Sequence, residues 1–476
     1  MTWRRWAALA AICGVIIWGM TLIPKYRTPL PLLLVRPAPE SKWVGIDAKQ
    51  RIGIMLLVQD ALEISADRTV LTEAPQGQKG TAKYEVLEVS AHRNGDDLTL
   101  LIDRTTVDGK RSQLQSSGQP LESLRALTRA LGSEAKALAA LLPVKPTAFW
   151  ELSRLLALTS PMVFSEEIKR AQILVDQEAE SAGAHYALGN LLYRQLLIDA
   201  ANNEDSRSHC EKYLLKALEL VPGYPRAACK MVRMKTDVGT PKEALEMAFE
   251  FRRSHPRNFE IYGALAYAAR NCGLLDGALE SLRSREAFCG GLVTDPGLTE
   301  NTYLYSGDLD RFQRTLIPIK DAPLSLIREF YRGYLCLLRG DQSRAATFFA
   351  QPDRGTDRKQ FESLSRVYSL ALKGQPEAAL AELRQLRTER SILRVPDGEF
   401  TFKLAEAFAF LGQRDEAIDA AYRAYGQGFG CTRWYRESPM LINLRGLPRW
   451  NALIQHLQER QTLMELAFPA HRFGME

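Results

Sequence analysis

The sequence predicts a mainly α-helical chain: an N-terminal transmembrane helix, a small α/β domain of antiparallel meander plus helices, and then an α-solenoid. Three observations predict it. Trp6 to Pro24 carry no charge and lie between Arg4-Arg5 and Lys25-Arg27. From Tyr84 to Gln115, strand-like runs are broken by Asn94-Gly95 and Asp108-Gly109. From about 148 to 430, glycines and alanines return in register with paired helices. The expected division is an anchor at 1–28, the α/β domain at 29–143, the solenoid at 148–430, and capping helices with a tail at 431–476.

The segment Trp6–Ile23 has 18 residues. At about 1.5 Å per helical residue it just reaches across a hydrocarbon core of roughly 30 Å. Trp3, Trp6 and Trp18 supply amphipathic rings for the membrane interfaces. A cleaved signal peptide would have a shorter apolar region and a small-x-small site, whereas Thr21-Leu22-Ile23 precede Pro24. The basic flanks nearly tie, and the short head favours a single-pass protein of a bacterial inner membrane with its bulk in the periplasm.

The net charge is +6, of which Arg4, Arg5, Lys25, Arg27 and Arg36 against Glu40 account for +4. The basic balance thus belongs to the anchor flanks and does not indicate nucleic-acid binding. Six cysteines follow Cys13. Buried thiols at small apolar positions are expected of them, with Cys210–Cys229 and Cys272–Cys289 the nearest-spaced pairs for a disulfide. No CxxC is present, which argues against structural zinc.

In the α/β domain, Leu32–Val35 reads as a buried strand ended by Pro37. Gly45–Leu62 is spaced as a helix, and Thr69-Val70-Leu71 as a strand. Asn-Gly and Asp-Gly favour positive φ and close tight hairpins, so Tyr84–Ala91, Leu98–Thr106 and Gln113–Gln115 form a three-stranded meander. Leu124, Leu127, Leu131 and Leu138 make the apolar stripe of a covering helix at Leu121–Leu142. Asp96, Asp97, Asp103 and Asp108 are turn-forming acids rather than metal ligands.

The repeats follow. Leu188-Gly189 with Leu192 opens a unit that Ala217-Leu218-Glu219-Leu220-Val221-Pro222 closes. Later units carry Gly239 with Ala244, Gly273 with Ala278, Gly340 with Ala345, Gly374 with Ala379, and Gly412 with Ala417. A degenerate unit holds Gly307 and Phe312. Small residues at fixed points let paired helices approach closely. These residues resemble the tetratricopeptide repeat family, whose period is about 34 residues, over half the chain and in six or seven units. Trp150–Leu158 and Ser165–Glu180 start the stack. Trp434–Pro439 and Leu444-Arg445-Gly446-Leu447-Pro448-Arg449-Trp450 resemble the ending of membrane-anchored proteins with a TolB-like domain and repeats, to which the CadC-type activators are related. Those activators have a winged-helix DNA-binding domain before the span, whereas only five residues precede Trp6.

The scattered histidines make no HExxH, and there is no GxSxG or Walker A motif. A non-enzyme without cofactor or metal is therefore expected. In the repeat family the first helix of each pair lines a concave groove. The resemblance places Asn190, Tyr193, Arg194, Arg226, Arg233, Tyr267, Arg270 and Asn271 there, followed by Phe330, Tyr334, Phe402, Glu406 and Phe410. Such a groove suits a peptide with an acidic and an apolar portion. The expected function is a membrane-anchored periplasmic scaffold or adaptor that binds other proteins or peptides, and not nucleic acid. The alternative is a sensory subunit acting through a separate regulator.

Overall fold

A computed structural model describes residues 32–65, 70–71, 84–131, 137–157, 164–197, 204–256, 258–289, 300–317, 326–350, 359–393 and 395–474. The chain is mainly helical, with a small N-terminal sheet domain followed by helical repeats. The fold class needs one correction. Among the described residues no helix is long and apolar enough to cross a membrane. The segment 6–23 lies outside the described residues, so the expected transmembrane helix has no support among the described ones. The single-pass inner-membrane location conflicts with the same finding and falls with it.

The sheet domain is larger than a three-stranded meander. Its strands are β1 (Leu32–Pro37), β2 (Val70–Leu71), β3 (Tyr84–Asn94), β4 (Asp97–Thr105) and β5 (Arg111–Gly118), in the order β2-β1-β3-β4-β5. β3, β4 and β5 are the antiparallel meander, with Val89 opposite Ile102 and Ile102 opposite Leu114. β1 adds to it in parallel, Leu33 opposite Glu85 and Val35 opposite Leu87, and β2 adds in parallel to β1. Both turn glycines take positive φ, 61° at Gly95 and 82° at Gly109. The period-2 pattern sends Leu87, Val89, Leu98, Leu100 and Ile102 inward. Helix α1 (Ala48–Ser65) covers them with Ile54, Leu57, Val58 and Leu62, and α2 (Pro120–Ala130) with Leu124 and Leu127. A further turn, α3 (Leu138–Leu141), ends the domain.

The chain then runs as helices. α4 (Pro146–Leu156) and α5 (Phe164–Gln177) lead in. Paired hairpins follow: α6 (Ala182–Leu196) with α7 (Glu204–Leu220), α8 (Pro225–Asp237) with α9 (Pro241–Ser254), and α10 (Glu260–Asn271) with α11 (Leu275–Cys289). Next come α12 (Glu300–Ser306) with α13 (Leu309–Thr315), α14 (Leu326–Leu338) with α15 (Gln342–Phe349), and α16 (Lys359–Leu372) with α17 (Pro376–Ser391). The last pair is α18 (Gly398–Phe410) with α19 (Arg414–Gly426), followed by α20 (Thr432–Glu437) and α21 (Pro448–Ala467).

Each hairpin turn from Gly239 to Gly412 is made by a glycine with φ between 74° and 95°. There the backbone leaves the helix through the left-handed region, which costs an L side chain about 1–2 kcal/mol. Five residues on, Ala244, Ala278, Ala345, Ala379 and Ala417 are fully buried, and Phe312 fills the equivalent place in the degenerate unit. Pro241 and Pro376 start their second helices, where a missing N–H costs nothing. Asp308 and Asp341 cap theirs, accepting from the amides of Arg311 and Arg344.

The sheet domain meets the first helices at a close backbone crossing. A Cβ on Gly53 of α1 would stand 1.7 Å from the Ser153 carbonyl oxygen of α4. Beside it Asp60 of α1 accepts from Tyr224 at 3.0 Å and from the Arg226 guanidinium, which also reaches Gln59 at 2.7 Å. Gly53→Ala should therefore destabilise the fold by about 1–3 kcal/mol or more through overpacking. Gly307→Ala, with nothing within 4 Å of its Cβ, should cost only the conformational term of about 1–2 kcal/mol. Equal denaturation midpoints for the two variants would disprove the close crossing.

Candidate functional site: the inner face of the repeats and an outer cleft

The first helices of the hairpins do face inward, but they meet each other. The stack curls until its last hairpin touches its second and third. The Asp397 amide donates to the Asp237 carbonyl at 3.2 Å, and the Gly430 amide to the Asn271 carbonyl at 2.7 Å. Helix α18 thereby lies along the inner face, and it is buried from Gly398 to Ala409. Its sequence explains this. Phe400, Phe402, Leu404, Ala405 and Phe408 give it a broad apolar face, and Glu399, Lys403 and Glu406 share the remaining one at spacings of three and four residues.

Three buried polar centres line the inner face, and the second and third join α18 to the coil. At the first, Asp237 of α8 accepts from the hydroxyls of Tyr193 and Tyr267, with Arg233 3.9 Å away. At the second, Glu399 accepts from Arg270 Nη2 at 2.8 Å, Tyr305 at 2.7 Å and Asn301 at 2.5 Å. Burial raises the Glu399 pKa, yet Arg270, Asn301 and Tyr305 outweigh it, and the carboxyl lies below its ordinary value. At the third, Glu406 accepts from Lys403 at 2.8 Å, Tyr334 at 2.8 Å, Trp434 at 2.9 Å and Ser438 at 2.7 Å.

The expected groove residues are corrected accordingly. Tyr193, Tyr267, Arg270, Asn271, Phe330, Tyr334, Phe402 and Glu406 are buried, and their partners belong to this chain. Asn190, Arg194, Arg233 and Phe410 are half-buried. Arg226 belongs to the joint with the sheet domain. The inner face is thus no open channel for a peptide, because α18 already fills it. Asp237, Asp397, Glu399 and Lys403 were missed by the sequence reading. The signal for two of them, Glu399 and Lys403, was charge at helical spacing with the expected Glu406, on one face of an otherwise apolar helix. The six cysteines after Cys13 are free in the structure. Burial pushes the thiols of Cys210, Cys289 and Cys431 up to about 12, so they are packing groups rather than nucleophiles.

An open cleft of about 810 Å³ lies elsewhere, between α9 and the end of α21. Lys242, Glu246, Phe249, Glu250 and Arg253 fall on one face of α9 and line it. Phe249 stacks on Phe468 at 5.7 Å with an interplanar angle of 9°, and Tyr262 sits 5.5 Å from Phe288. Arg252 lies over Phe249 and Tyr262 and donates to the Gly474 carbonyl at 2.9 Å. Arg472 covers Phe249 at 4.9 Å and donates to the Ala467 carbonyl at 3.3 Å. The C-terminal turn is seated by Phe473 against Gly277, where a Cβ would come within 2.6 Å of its ring.

No protein-family model matches the chain, and no curated protein does. Among solved structures the chain is similar to the TPR domain of P58(IPK), at 11% identity, over 67% of this chain and 98% of that one, with a TM-score of 0.20. So loose a superposition decides nothing, and the repeat reading rests on the hairpins themselves.

Two outcomes follow for the inner face. Arg270→Met leaves Glu399 ionised and unpaired in the core and should cost about 3–5 kcal/mol, whereas adding Glu399→Met should restore part of that loss. A double variant whose loss equals the sum of the two single losses would show that the pair is not coupled. The second outcome concerns Asp397, which caps α18 and holds φ of 50°. Burial and the neighbouring Asp237 raise its pKa from 3.8 to about 7. Its contribution to stability is thus full at low pH and lost as pH rises through about 7. Asn keeps the cap and tolerates this φ. Wild type should therefore lose on the order of 2 kcal/mol relative to Asp397→Asn between about pH 5 and pH 8 in urea titrations. A pH-independent difference would refute the assignment.

Proposed function

We propose that this chain is a non-enzymatic protein-interaction scaffold built from tetratricopeptide-type repeats, with a protein as its partner rather than a nucleic acid. A TolB-like character of the sheet domain is part of the same proposal. The observation that carries the reading is the contrast between two surfaces. The inner face is closed by buried, hydrogen-bonded polar centres, and the outer cleft is open and lined by arginines and aromatic rings. Tyr, Phe and Arg are the side chains that concentrate binding energy at protein interfaces. A rigid, self-filled coil holds them in place, so a partner meets preorganised groups. The near balance of charge beyond the first forty residues favours a protein over a polyanion.

A photo-crosslinking residue placed at Arg253, on the cleft rim, tests this in the native cell. One discrete protein adduct is expected there, and none from the same residue at Asp96, on the exposed turn after β3. Adducts to nucleic acid only, or the same adducts from both sites, would defeat the reading.

A further inference from the structure

Resting on the scaffold reading, we propose that the cleft between α9 and α21 takes an acidic peptide segment carrying an aromatic or large aliphatic side chain. Three features of the cleft lead there. The first is its floor. Phe249, Phe468, Tyr262 and Phe288 present ring faces and edges in a space of about 810 Å³, which accommodates a bulky side chain with its neighbouring backbone.

The second is its charge. Lys242, Arg252, Arg253 and Arg472 face two carboxylates, Glu246 and Glu250. Both carboxylates already have cations within reach: Glu250 takes Arg253 through both oxygens at 2.8 Å, and Glu246 stands 4.0 Å from Lys242. Arg472 is exposed, and among the described residues its contacts are a carbonyl and a ring, neither of which neutralises it. An incoming carboxylate can bridge Arg472 with both guanidinium nitrogens, a strong and directional pairing.

The third is the lip. Leu463 and Leu466 of α21 are 68% and 76% exposed, and Ala467 of the same helix face lines the cleft. Spacings of three and four residues put these side chains in one stripe leading to the aromatic floor. A segment whose apolar residues follow the stripe and whose acids meet the rim satisfies both halves of the surface.

The test is selection of short random peptides displayed against the full chain, with affinities then measured by fluorescence anisotropy. The selected peptides should be enriched in Asp or Glu together with Phe, Trp or Leu. Arg472→Glu should weaken them at least about tenfold, Arg472→Lys less, and added salt should weaken them further. Leu466→Ser should weaken binding without altering the salt dependence. Basic or uncharged winners, or acidic winners indifferent to Arg472→Glu, overturn the assignment while leaving the scaffold reading intact. No enriched peptide at all overturns both.

Discussion

The buried pair of Arg270 and Glu399 holds the rest of the molecule in its closed form. It joins α10 to α18 across 129 residues of sequence, with the arginine side chain 0% exposed. Two charges taken out of water lose more than they regain unless every remaining donor and acceptor is satisfied. Here Tyr305 and Asn301 complete the carboxylate, Asn301 also reaches Tyr331, and Thr302 accepts from Arg270 Nη1 at 3.3 Å. The pair is therefore a specific lock rather than a source of bulk stability. It tolerates one register of α18 against the coil and penalises any other.

That lock decides which surfaces remain for function. In an open superhelix the first helix of each pair meets solvent, and those residues do the binding. In this chain they meet α18, and the three α18 charges each find a partner: Glu399 at Arg270, Glu406 and Lys403 at one another. The open cleft lies on the outside, where the second helix α9 and the returning C-terminal helix form it. The return is itself specified by small residues. Gly277 leaves the space that Phe473 fills, and the Ser281 hydroxyl reaches the Phe473 carbonyl at 3.4 Å.

What the sequence made legible was local. Asn-Gly and Asp-Gly do close the meander, because positive φ is a property of two or three residues. The glycine followed five residues later by alanine does mark hairpin after hairpin, because close helix contact needs a small side chain at a fixed place. Tyr193, Tyr267, Arg270, Tyr334 and Glu406 do point inward, since helical period sets facing. What they face was not legible. The curl of a solenoid is the sum of small rotations between neighbours, and no single residue states it. The parallel addition of β1 was hidden for a similar reason: its pairing with β3 spans some fifty residues and has no turn signature. Phe249, Arg252 and Phe473 read as ordinary core or surface until the C-terminus is seen to return to α9.

Solenoids need their end repeats covered, and this one has unlike covers that converge. At one end α1 of the sheet domain crosses α4 at Gly53 and grips α8 through Asp60 and Arg226. At the other, α21 closes the last hairpins with Trp450, Leu453 and Leu457 in the core. Both covers reach the third hairpin, α10 with α11, from different sides. Leu34 of β1 and Leu71 of β2 pack with Phe259 and Cys289, and Phe288 lies against that cluster. The same Phe288 ring forms part of the cleft floor, opposite Phe468 of the C-terminal cover. A partner seated in the cleft therefore touches groups anchored to both ends of the chain at once.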